Sequence, residues 1–235
     1  VENRIATGRK GQVLRKPKVR RKLYKLTGDL RPNVDEIIAD LAERYNRREI
    51  TTTQVWSYLR REHLALFKAM KFIKKGVGLH HDPVMVVGGG TQISEMLKEI
   101  GAKYEWVSFG EFSVRRILSE EGRQEATRIL RENEREMTLF LVALGMTFKT
   151  AQSPAIPFGG IDFHFNTDIL AALAFTSFHE IDILTLSNRV SEKEAALIKT
   201  FEKGIKTSDG RIKKMQTAKD LWKKLGIKIV GFESK

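Results

Sequence analysis

Three-layer α/β, with a mainly parallel sheet, is the fold class the chain predicts, preceded by a small helical module and a basic N-terminal arm. Three observations carry this. From residue 84 onward short apolar runs alternate with amphipathic stretches, the pattern of strand–helix–strand units that build parallel sheets. Residues 33–75 keep a helical period instead, and residues 1–26 are dense in basic side chains and thin in apolar ones. The implied organisation is an arm over 1–26, a helical module with its linker over 27–80, and the α/β domain over 81–235.

In the arm, Arg4, Arg9, Lys10, Arg15, Lys16, Lys18, Arg20, Arg21, Lys22 and Lys25 stand against Glu2 alone. So little apolar surface does not offset the entropy of ordering a chain. Laid along phosphates, a basic segment gains free energy by releasing counterions. Arg9, Lys10, Arg15, Lys16, Lys18, Arg20, Arg21 and Lys22 are therefore candidate nucleic-acid contacts.

The module begins with Asn33 or Asp35 as a cap for a helix that buries Ile37, Ile38, Leu41 and Tyr45. The polar stretch 46–49 breaks it. Thr51, Thr52 and Thr53 offer caps for a second helix, with Val55, Trp56, Tyr58 and Leu59 inward, and a third helical run follows through Leu64, Phe67, Met70 and Ile73. Helix, short turn, helix is the layout of a helix-turn-helix. Its recognition helix would present Thr53, Gln54, Ser57, Arg60 and Arg61, of which Gln54, Arg60 and Arg61 suit base edges and phosphates. A plain helical bundle with a basic face is the other reading. Residues 76–83, with two glycines and His80-His81-Asp82-Pro83, read as a linker.

In the α/β domain, strands are expected at 84–87, 104–108, 146–150, 181–186 and 227–232. Helices are expected at 93–100, 168–178, 192–203 and 217–225, with one long charged helix over 112–144, broken at Gly122 and closed by Gly145. Gly88-Gly89-Gly90-Thr91 sits between a strand and a helix, where backbone amides can hold a phosphate. It matches neither the dinucleotide fingerprint nor the P-loop, so glycines serving the backbone of a tight turn are the plainer reading. Asp162 and Asp168 flank the start of an apolar helix. Six residues on a helix turn through roughly 240° beyond a full revolution, so the two acids converge only if Asp162 lies in the turn ahead of that helix.

The domain carries in order Val86-Val87-Gly88-Gly89-Gly90-Thr91, Leu144-Gly145-Met146, Gly159-Gly160-Ile161-Asp162 with Asp168, Asp182-Ile183-Leu184-Thr185-Leu186-Ser187-Asn188-Arg189, and Leu225-Gly226-Ile227-Lys228-Ile229-Val230-Gly231-Phe232. On these motifs the chain from about residue 84 to residue 232 resembles the NYN domain, a branch of the PIN-like nucleases. The resemblance implies a Rossmann-like, PIN-like sheet and a carboxylate cluster that binds Mg²⁺ or Mn²⁺ to activate water. Asp162 and Asp168 would be its metal ligands and catalytic acids. The family's first acid falls at Gly88, its Asn at Thr91, and its last acids at Arg189 and Ser191. A cation at a ligand position opposes a metal, although Glu192 lies near. The resemblance therefore implies a degenerate site retained for binding, with no cofactor required.

The net charge of +13 and the pI near 9.9 point to a polyanionic partner. Arg189, Lys213 and Lys214 extend the candidate contacts into the C-terminal part, where lysines cluster. Absence of cysteine excludes disulfides, thiolate zinc sites and cysteine nucleophiles, and the five histidines form no metal pattern. No apolar run is long enough to span a membrane, and the basic N-terminus lacks the apolar stretch of a secretory signal, so a cytoplasmic protein without a membrane partner is expected. The resulting expectation is a nucleic-acid-binding protein, of RNA or DNA. The alternatives are a metal-dependent endoribonuclease using Asp162 and Asp168, and a structural component of a nucleoprotein complex.

Overall fold

The computed structural model describes residues 21–27, 30, 34–77, 81–109, 112–147, 149–152, 155–158, 161–164, 178–195 and 226–234. In chain order the elements are β1 (Arg21–Leu26), α1 (Val34–Asn46), α2 (Thr52–Glu62), α3 (Leu64–Val77), β2 (His81–Val87), α4 (Gly90–Glu99), β3 (Tyr104–Phe109), β4 (Phe112–Ile117), α5 (Glu120–Ala143), β5 (Lys149–Gln152), β6 (Ala155–Phe158), β7 (Ile161–His164), β8 (Glu180–Leu186) and β9 (Ile227–Phe232). A turn of 3₁₀ helix at Ser187–Arg189 follows β8 and leads into a helix at residue 190.

Five strands form one sheet in the order β5-β2-β1-β8-β9, and every pairing in it is parallel. The α/β class and the parallel sheet thus agree with the sequence pattern. The strand order reverses at β1, so β1 and β8 border the point where open parallel sheets form a crevice at their carboxyl ends. The remaining strands form an antiparallel sheet in the order β3-β4-β7-β6.

One apolar core joins the parallel sheet to the helices. Tyr24 and Leu26 of β1, Met85 and Val87 of β2 and Leu184 of β8 share it with Ile38 and Leu41 of α1, Val55 and Leu59 of α2, Leu66, Met70 and Ile73 of α3, and Met137, Phe140 and Leu141 of α5. A second cluster packs Ile93 and Leu97 of α4 on Ile117 of β4 and on Ala126, Ile129 and Leu130 in the first half of α5. α5 therefore ties the two sheets together, its two halves serving different cores.

The arm assigned to 1–26 and the boundary at 80 both need correction. Residues 21–26 are the middle strand of the sheet, with β2 on one side and β8 on the other. The segment RKLYKL holds three basic residues among three apolar or aromatic ones, and all but its first residue are buried. Lys22 and Lys25 are buried too, which burial alone would forbid for a cation. Lys22 is compensated by Glu180 at 3.0 Å and Asp182 at 2.7 Å on β8, and the Lys25 ammonium donates to the Leu26 carbonyl. The helices α1–α3 are likewise part of the core built on β1, not an appended module. The linker is short, because α3 runs to Val77 and β2 starts at His81.

The single long helix expected over 112–144 is a strand followed by a helix. Phe112–Ile117 is β4, paired along its length with β3, and α5 starts after Ser119, whose hydroxyl caps the Gly122 amide. Gly122 lies in the first turn and does not break α5. A Cβ there would meet Ile117 and the Ser119 hydroxyl at 2.8 Å, so glycine lets α5 start tight against β4. Gly145 does end α5, at φ +67°, a conformation glycine adopts without strain. The hairpin of β6 and β7 was not anticipated. Residues 168–177 and 217–225, where two helices are expected, and the 192–203 helix beyond residue 195 lie outside the described residues.

Candidate nucleic-acid interface

α2 starts at a capping box. The Thr51 hydroxyl accepts from the Gln54 amide N–H, and the Gln54 side-chain oxygen accepts from Thr51 N at 2.8 Å. The helix buries Val55 and Leu59 and leaves Thr53, Gln54, Ser57, Arg60 and Arg61 in solvent, the face the sequence singled out. Of these, Gln54 spends its carbonyl oxygen on the cap. Arg61 pairs with Glu62 at 2.5 Å and lies over the Tyr58 ring. Arg60 has no acidic partner among the described residues. α2 packs chiefly on α3, and α1 chiefly along α5.

α3 contributes what the sequence reading passed over. Its segment LALFKAMKFIKKGV holds Lys68, Lys71, Lys74 and Lys75 and no acid. Lys68 reaches Glu233 at 3.8 Å. Lys71, Lys74 and Lys75 have no acidic partner among the described residues, and together with Trp56 they line a groove of about 450 Å³. Trp56 is fixed in place: its indole N–H donates to the Leu144 carbonyl at 3.1 Å, and Phe67 meets its ring edge-on at 5.8 Å. Lys74 donates to the same carbonyl at 3.2 Å and sits 5.1 Å from the Trp56 ring centre, while Lys71 sits 5.2 Å from that of Phe67. Leu144 closes the C-terminus of α5, whose helix dipole is negative there, so Lys74 is held by the fold. Lys71 and Lys75 stay exposed and uncompensated. The signal available in the sequence was an amphipathic helix with four lysines and no acid.

α5 shows the contrast. Arg123 pairs with Glu120 at 2.5 Å, and Arg128 with Glu125 at 2.8 Å and Glu132 at 2.7 Å, so these charges cancel along the helix. Those pairs pull the Glu120 carboxyl below its usual range and hold Arg128 above its own.

The remaining candidates are scattered. Lys22 is buried and spent on Glu180 and Asp182, so it is a structural cation and does not face a ligand. Arg21 is exposed at the start of β1, its guanidinium 5.0 Å from the Phe178 ring centre. Arg189 follows β8 and makes two hydrogen bonds to Glu192, at 2.5 Å and 2.6 Å, which neutralise the acid that lies near it in the sequence. Arg9, Lys10, Arg15, Lys16, Lys18, Arg20, Lys213, Lys214 and Asp168 lie outside the described residues. Asp162 is in β7, opposite Pro157 of β6, within the antiparallel sheet. It is therefore in a strand and not in a turn ahead of a helix, as convergence with Asp168 would require. Among the described residues no three acids or histidines come together as a metal group, and Gly88 and Arg189 occupy the positions where the resemblance requires carboxylates.

The Gly-rich turn after β2 is a packing device. A Cβ on Gly89 would meet the Asn133 amide at 2.8 Å. Buried Asn133 donates to the Gly88 carbonyl at 3.1 Å and to the Gln92 side chain. Arg115 of β4 holds the first turn of α4 from the other side, donating to Ser94 Oγ at 2.7 Å and to the Gly90 carbonyl at 3.5 Å.

No helix among the described residues is long and apolar enough to cross a membrane. No protein-family model and no curated protein matches the chain.

Proposed function

We propose that the protein binds nucleic acid, with the edge formed by α2 and α3 as a principal contact surface. The observation that carries this reading is the set Lys71, Lys74 and Lys75 on α3, without acidic partners among the described residues, beside a fixed tryptophan. By contrast, Arg123 and Arg128 on α5 are matched to acids along the helix, and Lys22 on β1 is matched by β8. Leaving Lys71, Lys75 and Arg60 unmatched holds positive potential on one edge, which a phosphate backbone would neutralise. The chain's charge of +13 supports the same reading. The α/β domain is then a PIN-like fold without a competent metal cluster, a reading supported by the parallel sheet and by the Arg189–Glu192 pair at the end of β8.

The test is binding of labelled single-stranded RNA and duplex DNA, followed by fluorescence anisotropy over a salt series with and without Mn²⁺. Affinity should fall steeply with salt. The double variant Lys71→Ala with Lys75→Ala should flatten the log–log slope by roughly 0.7–0.9 for each phosphate no longer neutralised. Equal slopes for the variant and the parent would remove this edge from the interface. Mn²⁺-dependent cleavage on denaturing gels would replace binding alone with the nuclease reading.

A further inference from the structure

β3 is one of the two outer strands of the antiparallel sheet and carries the most exposed large hydrophobic side chain among the described residues, Trp106, at 60%. Tyr104, two residues earlier, is 40% exposed. Two residues apart on one strand share a face, so the two rings stand side by side. Across the strand pair, Arg115 lies directly opposite Trp106. Its guanidinium is 5.2 Å from the Trp106 ring centre and 5.3 Å from that of Tyr104. Arg115 is only 8% exposed and has no carboxylate partner among the described residues, and burial lowers its pKa. Its hydrogen bonds to Ser94 and Gly90 anchor the arrangement on α4.

Two solvent-facing rings braced by an uncompensated buried cation cost the fold exposed apolar area and an unpaired charge. A polyanion carrying flat, unpaired bases would relieve both. Bases stack on aromatic rings whatever their sequence, and phosphates answer the positive charge. We infer that the Tyr104–Trp106 face is a stacking platform for the bases of single-stranded nucleic acid, a second contact surface that rests on the proposed nucleic-acid function. Duplex bases are stacked on one another and present no free face to Trp106. A second copy of this chain, with net charge +13, would bring like charge to the same surface.

The experiment compares the full chain with Trp106→Ala, Trp106→Phe and the α3 double lysine variant. The probes are a labelled single-stranded oligonucleotide and its duplex, with sedimentation velocity run in parallel. Trp106→Ala should weaken single-strand binding by about tenfold or more, the scale of one unstacked base, and leave duplex binding within about twofold. Trp106→Phe, which keeps a ring, should recover most of the loss. Single-strand affinity unchanged in Trp106→Ala, while the lysine variant weakens both probes, would overturn the platform and leave the nucleic-acid reading standing. Absence of binding by the parent chain would overturn both. A parent dimer that Trp106→Ala turns into a monomer without loss of single-strand affinity would reassign the face to self-association.

Discussion

Lys22 and Asp182 lie 2.7 Å apart with 5% and 1% of their surfaces exposed, in neighbouring strands at the centre of the sheet. A buried pair contributes little beyond what apolar residues of the same volume would. Removing one partner strands the other, at a cost of roughly 3–5 kcal/mol. Lys22→Ala is therefore expected to lower the urea midpoint strongly, and to reduce nucleic-acid binding only in proportion to the folded fraction lost. Tyr24 on the same strand adds a pH signature. Burial first, then the charges of Asp182 and Glu180, raise its phenol above the ordinary value of 10.0. A folded pKa above the unfolded one gives a contribution that is complete below pH 10 and lost as pH rises past it, because only the unfolded chain then releases the proton. The denaturation midpoint should fall above pH 10, and less steeply in Tyr24→Phe; parallel profiles would remove Tyr24 as the cause. Neither role was legible in the sequence, where Lys22 is one basic residue among many. Its partners lie 158 and 160 residues away, and nothing local distinguishes a paired lysine from a solvated one.

At the scale of elements, local chemistry was legible where it closes on itself. The Thr51 cap, the inward set of Val55 and Leu59 and the end of α5 at Gly145 follow from short-range rules, and the structure bears them out. Thr51→Ala should cost about 1 kcal/mol in chemical denaturation. Gln54→Ala should weaken the same cap while leaving nucleic-acid affinity nearly unchanged, since its carbonyl oxygen is turned to the helix start. A larger effect on affinity than on stability would restore Gln54 to the interface. The strand β4 was illegible for a physical reason. Its segment FSVRRI runs into the charged start of α5 without glycine or proline between them, and Arg115 and Arg116 read as the polar face of a helix. What makes it a strand is β3, and Arg116 meets Glu105 across that pair at 2.8 Å. The exposed rings of the platform were hidden for the same reason, because exposure depends on which strand is outermost. The lysines of α3 were visible as a sequence pattern, but their lack of acidic partners needed the fold.

For the whole molecule, the α/β class and the parallel sheet were legible from alternation alone, whereas the place of β1 was not. The core crosses the boundary drawn at residue 80, so a fragment of residues 81–235 would lack the middle of its sheet together with α1–α3. Such a fragment should show no cooperative thermal transition by circular dichroism, and a sharp one would mean that β8 and β2 can close up without β1. The same topology sets an order of events. β1 is made first; β2 follows some sixty residues later, and β8 only after most of the chain exists. Until then one side of β1 is an open edge able to recruit a stray strand, and closing so long a loop is slow. A lysine in the second position of that strand discourages wrong pairing while the edge waits. When β8 arrives, Glu180 and Asp182 bring the charges that let the same lysine be buried. The residue that guards the unfinished sheet thus becomes the one that accepts the correct strand.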